Sequence, residues 1–312
     1  MIKWTKKNRW LYWVLVVASL LVVFLCSLWK SRVEEGFEQN YIDPSTIAPT
    51  NSAIPNIIWT FWDDMEMPPF VEKCIGSWQK FNPDYTIIVL NRKNVREYLP
   101  EIDLMSIPGT NDMVQRFADF VRAHALAKYG GFWFDASIIC QGSNQWMHDI
   151  QNETGAEYIG YYTDRHTLPE YRKTSPIIEN WCFACIPQSQ FVQDWRDEFM
   201  RLTTFESPLK YVEDLQANNV NLQNLPYVDY LTMHCSAQKV LQRPGANYKM
   251  HYLKAEDTAF RLMVDDAGVW SDEHAVKSVL EKKFTDQPLL KLIGDIRRRI
   301  IAETDDYDSL FI

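Results

Sequence analysis

The densest run of chemistry-bearing residues is Asp119-Phe120-Val121-Arg122, followed by Tyr129-Gly130-Gly131-Phe132-Trp133-Phe134-Asp135-Ala136-Ser137. On a helix, residues three apart share a face, so Asp119 and Arg122 present an acid and a base together. The paired glycines then turn the chain into an aromatic strand, with Asp135 at its far end. A guanidinium and a carboxylate side by side suit a ligand carrying both diphosphate and hydroxyl groups. A strand-end carboxylate can stand beside the bond that breaks. The plain alternative is a solvated i, i+3 ion pair worth only about 0.2–0.5 kcal/mol. The glycine turn and the strand favour the chemical reading, because open α/β sheets bind ligands outside the carboxyl ends of their strands.

The flanking pattern supplies such a sheet. Ile54 to Trp62 is rich in β-branched and aromatic residues and reads as a buried strand. Phe70 to Lys80 has helical character, Asn82-Pro83-Asp84 is a turn, and Tyr85 to Leu90 is a second strand. Strand, helix, strand is a βαβ unit, which predicts an α/β sheet. The next helix spans about 111–128, with Met113, Val114, Phe117, Phe120, Val121 and Ala125 on one arc and Gln115, Asp119 and Arg122 opposite. Asn111 is its expected N-cap, Asp112 lies in its first turn, and Gly130 follows its end. Further strands are expected at Glu157–Tyr161 and Ile177–Ile186. From Gln190 the pattern turns mostly helical, through to Leu289–Ile301.

Charge divides the chain in two. The first 32 residues hold six basic residues and no acid, which leaves −15 for the rest of a chain whose net charge is −9. A domain that acidic lacks the basic footprint of nucleic-acid binding. Trp10 to Trp29 carries no charge, and twenty helical residues cover about 30 Å, the thickness of a bilayer's hydrocarbon core. The run is longer than the apolar core of a cleaved signal peptide and is followed by Lys30. The expected organisation is therefore a cytosolic tail (1–9), a transmembrane anchor (10–29), a polar stem (30–53) and one folded domain (54–312). Basic residues concentrate before the anchor, which puts the N-terminus in the cytosol. Five of the six cysteines follow the anchor, with no spacing that suggests a disulfide framework. Cys182 and Cys185 sit on an expected strand, where residues three apart face opposite sides.

The Asp119–Arg122 pair and the Tyr129–Ser137 stretch together resemble the signature of glycosyltransferase family 32, and more closely its capsular polysaccharide synthesis protein branch. Pro55 to Trp62 is similar to that branch's opening strand. Cys74-Ile75 with Ser77-Trp78, Asn82-Pro83-Asp84-Tyr85 and Glu179-Asn180-Trp181 are similar to its later landmarks. The resemblance covers about residues 54–200 well and the last third weakly.

The resemblance implies a GT-A-type, Rossmann-like sheet with a mostly helical C-terminal third. It implies a nucleoside-diphosphate sugar as donor, UDP- or GDP-linked, a glycan as acceptor, and retention of anomeric configuration. By position, Trp59 and Thr60 line the base pocket, Asp119 takes the ribose or base edge, and Arg122 faces the diphosphate or donor sugar. Asp135 stands where the first acid of a DxD motif stands, so Asp135 and Arg122 are the expected catalytic pair. Asn180 is an expected donor contact. Asp135 and Ser137 are the expected holders of Mn²⁺ or Mg²⁺. A hard cation prefers carboxylate, carbonyl and water oxygens, so Ser137 in place of an acid weakens that site. Gln287 to Leu292 is similar to a segment where relatives place a histidine before Lys-Leu, and Leu290 occupies that position here. These departures leave a rival open: a catalytically inactive, membrane-tethered nucleotide- or glycan-binding module. The topology expected for the transferase is a type II Golgi protein with its domain in the lumen.

Overall fold

The computed structural model describes residues 43–47, 52–63, 66–107, 113–283, 286–303 and 307–311. The expected anchor, Asn111 and Asp112 lie outside the described residues, as does most of the expected stem. Among the described residues no helix is long and apolar enough to cross a membrane.

The chain alternates strands β1 (Ile57–Phe61), β2 (Thr86–Leu90), β3 (Gly131–Phe134), β4 (Ile138–Cys140), β5 (Tyr158–Tyr162), β6 (Ile178–Cys185), β7 (Met250–Lys254) and β8 (Leu289–Lys291) with helices. The helices that matter most are α1 (Pro69–Phe81), α2 (Val114–Tyr129), α3 (Gln145–Thr154), α4 (Gln190–Met200), α5 (Thr232–Leu241) and α6 (Gly294–Glu303). Six strands form a mixed sheet in the order β2-β1-β3-β6-β5-β7, and β4 pairs with β8 in a small second sheet. β1 runs parallel to β2 and β3, while β6 runs antiparallel to β3 and β5.

Alternation along the strands builds two cores. Trp59, Phe61, Trp133 and Phe183 face a cluster that includes Phe117 and Phe120 of α2, Trp195 of α4 and Met233 of α5. The other face packs Phe134 against Trp78 of α1 and Phe132 against His148 of α3. The sheet thus lies between two layers of helices.

The turn from α2 into β3 requires glycine twice. Gly130 and Gly131 both have positive φ (64° and 90°), and a Cβ on Gly131 would come within 2.6 Å of the Ile57 carbonyl oxygen. The expected elements up to Ile186 are present with small shifts at their ends. The last third differs from expectation. β7 adds an edge strand parallel to β5. Residues 289–291 of the expected final helix form β8, and α6 begins only at Gly294. Cys182 and Cys185 are buried free thiols on β6, and burial pushes both well above the usual thiol range.

Candidate active site

β1, β3 and β8 place their carboxyl ends, and β6 its beginning, around one open cavity of about 990 Å³. Because β6 is antiparallel to β3, its N-terminal residues Glu179, Asn180 and Trp181 meet the carboxyl end of β3 there. Asp119, Arg122, Asp135, Ser137 and Asn180 all line this cavity. α2, the end of β3 and the start of β6 bring Asp119, Arg122, Asp135 and Asn180 into hydrogen-bond contact.

Arg122 is the hub. Its guanidinium donates Nη1–H to Asp119 Oδ1 at 2.5 Å and Nη2–H to Asp135 Oδ1 at 2.7 Å. It lies over the Trp133 ring at 4.7 Å, and Trp133 Nε1 donates to Asp135 Oδ1 at 3.1 Å. Asn180 Nδ2 donates to Asp119 Oδ1 at 3.0 Å. The side chain of Arg122 is 5% exposed, so the solvated ion pair of the plain reading is not what the fold builds. Asp135 is tied at its backbone as well, where its N–H donates to the Trp181 carbonyl at 2.8 Å.

The two carboxylates that share this guanidinium titrate apart. Burial raises Asp119 above the ordinary carboxylate range and outweighs Arg122 and His234, which pull it down. Burial also acts most strongly on Asp135, yet Lys291 and Arg122 together hold that carboxyl below its ordinary value.

Lys291 is the functional residue that sequence reasoning missed. Ile138 of β4 pairs with Lys291 of β8, which carries the ammonium to the turn after Asp135. Its Nζ donates to Asp135 Oδ2 at 2.9 Å and to Ser137 Oγ at 3.2 Å. Leu290, the position where a histidine was sought, is fully buried on β8. The available signal was period-2 alternation: once 289–291 is a strand, residues 290 and 291 face opposite ways.

Trp59 and Thr60 stand apart from the cavity. Both are fully buried and neither lines the cavity. Trp59 stacks on Tyr129 and donates Nε1–H to the Gly130 carbonyl at 3.0 Å, so it braces the glycine turn. β1 runs on to Phe61, and the cavity wall is formed by Phe61, Trp62 and Asp63. Val114 also departs from the expected apolar arc: it is 43% exposed and lines the cavity. The Asp229 backbone carbonyl accepts from Arg116 Nη2 at 2.8 Å.

The donor set at Asp135 and Ser137 does not fit a divalent cation. It offers one carboxylate and one hydroxyl, and the Lys291 ammonium already contacts both. Among the described residues no group of three or more His, Cys, Asp or Glu side chains could hold a metal ion. A second cation there would face repulsion from Lys291 and Arg122.

Fold and cavity together define an α/β protein with a charged cleft at the strand ends of a mixed sheet. The chain belongs to the capsular polysaccharide synthesis protein family, whose model matches residues 26–287. It is 26% identical over 166 residues to the O-glycosyltransferase braB of Annulohypoxylon truncatum, a match that covers 46% of this chain and 37% of that protein. The chain thus spans well under half the length of that relative. Among solved structures, an active-site mutant of LgtC overlaps with a TM-score of 0.40 at 11% identity, covering 82% of this chain and all of that one. The apo glycosyltransferase GlyE of Streptococcus pneumoniae TIGR4 overlaps with a TM-score of 0.40 at 10% identity, covering 82% of this chain and 62% of that one.

Proposed function

We propose that this chain is a hexosyltransferase of the GT-A type, within glycosyltransferase family 32, that moves a hexose from a UDP- or GDP-linked donor to a glycan acceptor with retention. The observation that carries this reading is the Asp119–Arg122–Asp135 bridge on the wall of a cavity of about 990 Å³. Asp119 and Asn180 offer hydrogen bonds to ribose or sugar hydroxyls, and Asp135 supplies a fixed negative charge beside the reacting carbon. Phe61 and Trp62 replace Trp59 and Thr60 as the proposed base contacts.

The proposal extends to the whole chain. Residues 10–29 anchor it in a bilayer, residues 1–9 stay cytosolic, residues 30–53 form the stem, and residues 54–312 act in the Golgi lumen. The uncharged run with basic residues before it supports this topology. Protease protection in sealed microsomes tests it: the domain should resist digestion until detergent is added.

The activity is tested by incubating the full chain in detergent with a panel of UDP- and GDP-hexoses and following nucleotide release. One donor should be consumed well above the others, and the anomeric configuration of the product, read by NMR, should match the donor's. Intact nucleotide binding with no consumption of any donor would instead favour the inactive binding module.

A further inference from the structure

Three cationic side chains gather around Asp135, and each stands differently. Arg122 is committed to Asp119 and Asp135. Lys291 spans Asp135 and Ser137, the two residues expected to ligate a metal. Arg297, in the first turn of α6, also lines the cavity and has no ion-pair partner among the described residues. We propose that Lys291 and Arg297 form a fixed cationic clamp for the donor's diphosphate, in the place a divalent cation would otherwise fill, so that transfer by this chain needs no metal. The inference rests on the glycosyltransferase reading above.

The fold holds Lys291 rigidly. Its backbone N–H donates to the Ala259 carbonyl at 2.8 Å, β8 is paired to β4, and its side chain is only 10% exposed. Its ammonium lies 6.0 Å from the centre of the Trp181 ring. A charge already in place costs no reorganisation when negative charge develops opposite it, which is how preorganised sites stabilise a leaving group. Burial lowers the Arg297 guanidinium below its ordinary value, and Cys74 and Asp135 oppose that shift. Its planar fork matches phosphate oxygens. The start of α6 at Gly294 lines the same wall, and helix N-termini favour anions.

The step balances without a metal. The bond from the sugar's anomeric carbon to the diphosphate oxygen breaks, and its electron pair leaves on that oxygen. The acceptor hydroxyl oxygen forms the new bond to the anomeric carbon, and its proton passes to the departing phosphate oxygen. Lys291 and Arg297 supply charge to the step and exchange no proton in it.

The test uses the full chain stripped with EDTA, with two readouts: calorimetric binding of UDP and GDP, and donor consumption. Both should change less than about twofold between EDTA and excess Mn²⁺. Lys291→Ala should lower turnover by about 10²–10³-fold, the scale of losing one preorganised charge-stabilising group, and added ethylamine should restore part of it. Arg297→Ala should weaken nucleoside diphosphate binding more than nucleoside binding. The chelator comparison uses the unaltered chain, so it stands even where a variant fails to fold. Wild-type turnover that vanishes in EDTA and returns with Mn²⁺ would overturn the clamp while leaving the glycosyltransferase reading intact. A wild-type chain that neither binds nucleotide nor consumes any donor, with or without Mn²⁺, would overturn both.

Discussion

Lys291 and Asp135 stand 156 residues apart in the chain and 2.9 Å apart in space. The contact closes the last-third segment onto the strand end that carries the candidate catalytic carboxylate. Asp135 is therefore held from two sides, by Arg122 on Oδ1 and by Lys291 on Oδ2. That arrangement governs what substitutions there should do.

Asp135→Asn removes the one anion between two cations. Breaking a buried ion pair costs about 3–5 kcal/mol. Asp135 is 30% exposed, and solvent screening reduces the figure to about 1–3 kcal/mol. Transfer should be lost, and the melting temperature should fall by several degrees. Calorimetry beside a donor-consumption assay checks both. A variant with unchanged stability and most of its activity would show that the carboxylate is neither the anchor nor the reacting group.

Arg122→Ala should cost about 3–5 kcal/mol, because it leaves Asp119 and Asp135 facing each other without their shared guanidinium. Adding Asp119→Asn to that variant should recover part of the loss, since one unpaired charge is removed. A double-mutant cycle by denaturant unfolding measures the coupling. Additive effects would mean that the two side chains do not act through each other.

Much of this arrangement is legible in the sequence. The βαβ pattern places β1, α1 and β2, and the paired glycines place Asp135 at a strand end opposite Asp119 and Arg122. Two strands escape for physical reasons. β7 is partly buried along its length and lacks a clean alternation of apolar and polar residues. β8 is three residues long within an apolar stretch that also satisfies a helical period. Missing β8 hides Lys291, because only a strand sends residue 291 to the cavity while burying Leu290. The base contacts shift for a similar reason: β1 continues to Phe61, so its carboxyl end falls beyond Trp59 and Thr60.

Trp59→Phe tests that shift. The substitution keeps an aromatic side chain but trades the indole for a smaller phenyl, losing the hydrogen bond to the Gly130 carbonyl and leaving a cavity, which together should cost about 2–4 kcal/mol. Nucleotide affinity should hold, because Trp59 does not touch the cavity. Trp62→Ala should do the reverse, weakening nucleotide binding by about tenfold, or about 1.4 kcal/mol. Isothermal titration with UDP and GDP separates the two residues, and a Trp59→Phe variant that loses affinity without losing stability would restore Trp59 to the base pocket.

Acid should destabilise the fold through its histidines. Burial is the first cause that lowers His124, His148 and His166 below the ordinary imidazole value. His148 packs against the Phe132 and Tyr85 rings, and its Nε2 is buried without a partner. A folded-state value below the unfolded one means that the unfolded chain binds more protons in that window. The stabilising contribution is therefore complete above about pH 6.5, the unfolded histidine value, and is lost as pH falls through the folded values. Asp119 works in the opposite sense, since a raised carboxyl contributes stability at low pH that is lost as pH rises. Melting temperatures measured from pH 8 to pH 5 at constant ionic strength should stay level and then decline, and His148→Gln should make the decline shallower. A rise in stability over the same acid range would mean that Asp119 outweighs the three imidazoles.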